Sequence, residues 1–375
     1  MKEVSYVVVF PTIFSKNKIP QLISNIKKIL KIRNQEFKSV KQDGDVILVD
    51  SGDPVFSSSA INLLFGIEKV VIARQVKNDF KTIVSEITSI GGNLLLKGEK
   101  FLVKVEGCSK GFFTKDVEIA ATSSIIEEKS NLGSRPGTEE NYDKLLYTYL
   151  TKNNAYICIF IDKGNGGITF NSPKQNTVCC VYDELSAISC YETIKQGFDS
   201  KIIICYRRNS ELMNLVKTIN QVIPRLVKEK ITLDFFQIKS RSSSTKDYAI
   251  FLNTVIEIML HEAKTNNLTF VSLGFSPLVF SQNISEFAMK NIFQNDKLPL
   301  IPLSGVDREL FDDAKEIGLE SHIPKMSKVI KMDFKEIPKI SEKDVKTALK
   351  TKKTVNVTVG PNNVHDILDS LEENQ

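Results

Sequence analysis

Cysteine is scarce in this chain and poorly placed for metal or disulfide chemistry. Six occur in 375 residues, at 108, 158, 179, 180, 190 and 205; no two form a C-x-x-C pair, and none follows Cys205. Cys158 and Cys205 lie in the apolar runs Tyr-Ile-Cys-Ile-Phe and Ile-Ile-Ile-Cys-Tyr, where a free thiol behaves as a small hydrophobe, so no metal centre is expected. No apolar run approaches the ~20 residues that cross a bilayer. The opening Met-Lys-Glu-Val-Ser-Tyr-Val-Val-Val-Phe-Pro lacks a small-residue cleavage pattern and reads as a first strand, so a cytoplasmic location without membrane partners is expected. His261 and His322 are read as packed or surface residues rather than catalysts. No internal repeat is visible. The second half also lacks any charge excess: residues 176–375 hold 26 Lys and Arg against 26 Asp and Glu, whereas residues 1–175 hold 24 against 19.

With 42% hydrophobic and 25% charged residues the chain is globular, and its length suffices for two or three domains. The densest positive stretch holds Lys16, Lys18, Lys27, Lys28, Lys31, Arg33, Lys38 and Lys41 against Glu36 alone. Such a run is a solvated face or a footprint for phosphate contacts, and composition leaves both open. Spacing predicts a strand over 4–10, a helix over 19–32 behind Pro20 and a strand over 46–49. A helix over 80–90 is expected to close at Gly91-Gly92. The strand over 100–107 points inward either Phe101, Val103 and Val105 or the opposite set. Further along, a helix over 116–128 and a strand over 156–161 are followed by strand, turn, helix and strand over 176–206. Then come a long helix over 209–229 with Pro224 inside it, a strand over 231–238, a helix over 248–263 and a strand over 268–273 ending at Gly274. Beyond 330, polar and lysine-rich sequence leads to Thr354-Val-Asn-Val-Thr-Val and a last helix, read as an extension packed loosely on the rest.

Three segments carry a family resemblance. Ile61-Asn-Leu-Leu-Phe-Gly-Ile resembles the L-x-x-V-F-G-I opening of a THUMP domain, with Phe101, Val103, Lys110 and Phe112 agreeing further on. Asp162-Lys-Gly-Asn-Gly-Gly stands where the family closes that domain with G-x-G-G. Residues 298–318 resemble the L-P…P-L-i-G-x-D-K…A-r-x-I-G segment of tRNA 4-thiouridine synthetases, sulfurtransferases also linked to thiamine biosynthesis, with Asp307, Arg308, Ala314, Ile317 and Gly318 in place. The resemblance implies an α/β chain: an N-terminal ferredoxin-like unit (1–60), a THUMP domain (61–170), a flavodoxin-like parallel-sheet PP-loop domain (176–330) and a C-terminal extension (331–375).

The family's catalytic signatures are missing. Where it carries S-G-G-x-D-S, this chain reads Val181-Tyr-Asp-Glu-Leu-Ser, so only Ser186 of that nucleotide signature survives. Tyr182 and Asp183 replace residues that let backbone approach phosphate, and Asp183 with Glu184 brings two carboxylates to a polyphosphate. The same pair suits the first turn of a plain structural helix. The helix matching the one that bears the family's reactive thiol, residues 248–263, has no cysteine, and neither does Ser321-His-Ile-Pro-Lys-Met. Cys179, Cys180 and Cys190, beside the loop, are read as buried structural residues.

The resemblance thus implies a tRNA-binding protein without sulfurtransferase activity and without a cofactor, a non-catalytic partner of a tRNA-modification enzyme. Lys104, Lys110, Lys115, Arg135 and Lys163 are the expected RNA contacts, with Lys16, Lys18, Lys27, Lys28 and Lys31 as an outer collar. The alternatives are an active synthetase using ATP and magnesium in an altered site, and a regulator binding protein through its second domain. Whether the chain forms a homodimer is left open.

Overall fold

The β-branched run at the start becomes β1 (Ser5–Pro11), the first strand of a computed structural model that describes residues 5–128, 133–239, 245–278, 280, 282–305, 307–323, 338, 340–360 and 364–373. The chain divides into two compact units, Met1–Gly166 and Gly167–Gln375.

In the first unit β1 leads into α1 (Ile19–Ile32), β2 (Phe37–Asp43), β3 (Val46–Ser51), α2 (Pro54–Ile61) and β4 (Ile67–Lys77). α1 buries Ile19, Leu22, Ile26, Ile29 and Leu30, spaced three and four apart, at about 1.5–3 kcal/mol for each large side chain. α2 begins at Pro54 because Asp53 caps it, accepting from Val55 N and Phe56 N. Strand order β2-β3-β1-β4, all antiparallel, with two crossover helices is the ferredoxin-like split β-α-β pattern.

β4 also pairs with β8 (Asn154–Gly166), so the sheet continues through β7 (Lys144–Leu150) and β5 (Lys100–Gly107) to the short β6 (Arg135–Pro136), eight strands in all. Two helices cover this part, α3 (Phe80–Leu94) and α4 (Thr114–Glu128). Their Ile83, Ile87, Val117, Ala121 and Ile125 pack on Phe101, Val103 and Val105, which settles the register of β5. Gly91-Gly92 does not cap α3: the helix runs on to Leu94, and Gly91 lies against β7, where a Cβ would come 2.8 Å from the end of the Leu146 side chain. The sheet curls until the β2–β3 hairpin meets the β7–β8 turn. Asp43 accepts there from Thr151 Oγ1 at 3.0 Å, from Asn154 Nδ2 at 2.9 Å and from the Tyr156 hydroxyl.

The second unit is a six-stranded sheet in the order β13-β12-β9-β10-β11-β14. β9 (Asn176–Val181), α5 (Glu184–Lys195), β10 (Asp199–Tyr206), α6 (Asn209–Val222) and β11 (Lys230–Gln237) form consecutive parallel units. α7 (Thr245–Thr265) returns the chain across β9 to β12 (Phe270–Ser272), and α8 (Gln282–Gln294) leads to β13 (Leu298–Leu300) and α9 (Arg308–Glu316). The strand order reverses between β9 and β12, and the open end of such a switch point is where α/β sheets take ligands. α6 ends at Val222, short of 229, since Pro224 removes a helix N–H and a 3-10 turn takes over at Ile223–Arg225.

The C-terminal stretch is not loosely packed. After α10 (Glu342–Leu349), β14 (Lys353–Thr358) pairs antiparallel with β11 and buries Val355 and Val357, and α11 (Val364–Glu373) follows. Lys352, just ahead of β14, reaches Glu262 at 2.8 Å and Asp234 at 3.1 Å, two buried carboxylates that also face Lys201. Residues 331–337, 339, 361–363 and 374–375 of that extension, Pro324–Met326, Ser281 and Val306 lie outside the described residues. Among the described residues no helix is long and apolar enough to cross a membrane.

Candidate functional site

The turn after β9 occupies the switch point, and its own side chains take the donors that would hold an anion. Ser186 Oγ accepts from Tyr182 N and from Asp183 N, both at 2.9 Å, and donates to Asp183 O at 2.8 Å. Asp183 is the N-cap of α5: its carboxylate accepts from Ser186 N at 2.8 Å, which completes a capping box. A carboxylate of the chain itself thus sits at the positive end of the helix. Burial pushes the Asp183 carboxyl up to about 6 despite the hydrogen bonds from Ser186.

The crevice beside this turn is filled as well. The Tyr182 hydroxyl donates to Gly274 O at 3.0 Å, and a Cβ on Gly274 would lie 2.7 Å from Ser186 Cβ and 3.1 Å from the Tyr182 ring, so the loops after β9 and β12 are in contact. The Tyr182 ring meets Phe251 edge-on, with centroids 5.7 Å apart; Tyr248 stacks between Phe251 and Phe280. The Arg207 guanidinium lies 5.3 Å from the Phe251 centroid. These residues do not fit a nucleotide triphosphate. Tyr182 N, Asp183 N and Ser186 N are already bonded to the turn's own side chains, the Tyr182 ring occupies the crevice, and a carboxylate stands at the helix N-terminus where a phosphate would need positive charge.

The thiols offer no accessible nucleophile in this unit. Cys179, Cys180, Cys190 and Cys205 are each at most 1% exposed. Burial and the neighbouring Cys205 push the Cys180 thiol up, while the hydrogen bond with Cys179 and burial do the same to Cys190. Burial also acts on Cys179, but hydrogen bonds from Cys190, Ser200, Thr193 and Ser272 outweigh it and hold that thiol below its ordinary value. A reactive thiolate needs both a low pKa and access, and no cysteine here has both. Cys108 alone is exposed, in the first unit. His322 has an acidic neighbour that lies far from it in sequence: its Nδ1 is 3.8 Å from Glu184 Oε1, which also accepts from Asn214 Nδ2 at 3.0 Å.

The basic residues singled out from the sequence fall into separate groups. Lys27, Lys28 and Lys31 line the exposed face of α1, and Lys16 and Lys18 belong to the 3-10 turn before it. Lys163, on β8, pairs in register with Lys69, which sequence reasoning missed. Lys69 Nζ lies 4.2 Å from the Tyr147 ring centroid and 4.6 Å from that of Phe10. Lys104 and Tyr147 are register partners, so Lys104 emerges on that same sheet face, away from α3 and α4. Lys104 is bound to Glu139 at 2.7 Å and Lys115 to Glu118 at 2.8 Å, whereas Lys110 stands exposed in the loop after β5 and Arg135 on the edge strand β6. Phe112, half-buried, packs edge-on against Phe80 at the margin of the core, and its neighbour Phe113 is the outward ring. Among the described residues no cluster of His, Cys, Asp and Glu could hold a metal ion.

No family model and no curated protein matches the chain. Solved structures do. PH1313 from Pyrococcus horikoshii Ot3 superposes with a TM-score of 0.63, covering 84% of this chain and 100% of its own at 17% identity. A 4-thiouridine synthetase in an RNA complex with bound ATP superposes with a TM-score of 0.65, covering 95% of this chain and 100% of its own at 13% identity. At these identities the likeness is one of fold: an α/β chain whose ferredoxin-like start lies in a mixed sheet and whose second unit is built on a mostly parallel sheet.

Proposed function

We propose that this chain is a tRNA-binding protein on the 4-thiouridine synthetase fold, working without ATP and without sulfur transfer of its own beside an enzyme that supplies the chemistry. In this reading residues 61–170 act as the THUMP domain, and the PP-loop domain, 176–330, has become structural. The observation that carries it is the turn after β9. Ser186 and Asp183 satisfy the donors that a phosphate would need, and Tyr182 fills the crevice beside them. An active enzyme with a rebuilt site would need an accessible thiol near that turn, and the four cysteines there are buried.

Support for RNA comes from the charge excess of residues 1–175 and from a fold neighbour solved with RNA. Lys104, Lys110, Lys115, Arg135 and Lys163, with Lys69 added, are the proposed contacts on the THUMP side, and Lys16, Lys18, Lys27, Lys28 and Lys31 those on the ferredoxin-like side. Such contacts read shape and phosphate rather than sequence. The test is a titration of the full-length protein with unmodified tRNA at several salt concentrations. Affinity is expected to fall steeply with salt, and Lys110→Glu or Lys163→Glu is expected to lower the log–log slope by about one each. Binding that ignores salt, or that survives both changes and is lost with Lys228→Glu in the second unit, would overturn the reading.

A further inference from the structure

The turn between β1 and α1 holds two large apolar side chains out into water: Ile13 is 76% exposed and Phe14 66%. The turn beneath them is fixed. Thr12 N donates to Gly66 O at 2.9 Å, Ser15 N and Lys16 N both donate to Thr12 O, and Thr12 Oγ1 donates to the fully buried Ser15 hydroxyl. Gly66 N donates in turn to Gly166 O, and Asn62 Nδ2 to Lys163 O, which brings Lys163 to the same end of the sheet. From Thr12 to Gln35 the chain has no acidic residue, and Lys16 and Lys18, two and four positions after Phe14, stand exposed. The acids in the tied segments are Glu68 and Asp162, and Asp162 accepts from Asn62 Nδ2 at 2.9 Å. Phe113 is similarly exposed, but Asp116 follows it and Lys115 is paired with Glu118, and Phe56 follows Asp53.

An outward aromatic ring on a hydrogen-bonded turn, with lysines two and four positions further along the chain, matches how proteins hold unpaired nucleotides. Every base offers a π face to an aromatic side chain, and adjacent lysines take the phosphates. We propose that Phe14 is a stacking platform for one unpaired base of the bound RNA, with Ile13 against its sugar and Lys16 and Lys18 on the flanking phosphates. This rests on the RNA-binding reading above. It adds a preference for single-stranded segments that the lysines alone would not give.

The experiment uses the full-length protein and two labelled RNAs, a hairpin with a single-stranded extension and the same hairpin blunt-ended. Wild type is expected to prefer the extended RNA. Phe14→Ala is expected to lose that preference, weakening binding of the extended RNA by roughly 5- to 150-fold, the range for one base–aromatic stack, with an unchanged melting temperature and salt slope. Phe14→Trp is expected to keep it, and Lys16→Glu with Lys18→Glu to weaken both RNAs and lower the slope. Equal binding by Phe14→Ala and wild type overturns the platform while leaving the RNA reading intact; so does a preference lost in Phe113→Ala instead. Failure of wild type to bind either RNA overturns both. Phe14-dependent binding of phosphatidylserine vesicles, with no effect of Phe14 on RNA, assigns the turn to a membrane surface and overturns the platform.

Discussion

Ser186→Ala removes a single oxygen, and the structure sets how much that should cost. The hydroxyl is the acceptor for two backbone N–H groups and donates to a third backbone group, in a residue 1% exposed. Leaving a buried polar group without its partner costs about 1–3 kcal/mol. The Asp183 carboxylate keeps its bond to the backbone of residue 186, so the helix cap itself survives. Counting two stranded donors with partial relaxation gives roughly 3 kcal/mol. For a unit of this size each kcal/mol moves the melting midpoint by about 2–4 °C, so a drop of about 6–12 °C is expected. Calorimetry of wild type and variant, with and without millimolar ATP–magnesium, reads the effect. A serine kept for phosphate would behave in the opposite way. Wild type would gain about 2.7 kcal/mol from a ligand at 100 times its dissociation constant. A wild-type midpoint that rises by several degrees with ATP, beside a Ser186→Ala midpoint within 1 °C of the unliganded wild type, would refute the reasoning.

Two further outcomes follow from the same chemistry. The Asp183 carboxyl titrates near 6 in the folded chain, above the ~3.9 of an unfolded aspartate, so the folded state binds the proton more tightly and stability falls as pH rises from about 4 to 6. Asp183→Asn keeps a good helix cap and removes that titration. Its midpoint is expected to exceed the wild type's at pH 7.5 and to converge with it near pH 4; a variant less stable at pH 7.5 would contradict this. Lys352→Met strips one of two cations from the buried Asp234 and Glu262. Breaking such a group costs up to ~3–5 kcal/mol, and with Lys201 still in place about 2 kcal/mol is expected by urea unfolding. A change under about 0.5 kcal/mol would mean that the C-terminal strand is not anchored there.

Much of the local structure was legible because it is written in local spacing. α1 spans the 19–32 that its spacing predicts, and the inward set of β5 is the one its alternation offered first. Errors came where distant packing overrode a local signal. Gly91-Gly92 reads as a helix stop, yet the proximity of Leu146 turns it into a packing feature. β2 is polar at most positions, so nothing in its own sequence announces the strand that pairs with β3. The valines of β14 look like an appendage until β11 supplies the other half of the ladder. At the site, the resemblance led to the expectation of a replaced nucleotide signature over Val181–Ser186, but the role of Ser186 as an internal acceptor for Tyr182 N and Asp183 N depends on a backbone turn that residue identity does not specify. Lys69, the outward Phe113 and the approach of His322 to Glu184 were likewise invisible, because each depends on partners or on a side-chain direction fixed by tertiary structure.

The most direct test of the central claim is product formation. Purified full-length protein is incubated with ATP, magnesium, a cysteine desulfurase and unmodified tRNA, and 4-thiouridine is measured by mass spectrometry of the digested RNA. The buried cysteines and the closed turn after β9 predict none above background, while the same preparation still binds the tRNA. Thiolated tRNA that appears with wild type and disappears in Cys180→Ser or Cys190→Ser would show a site rebuilt around a different thiol, and would contradict the account.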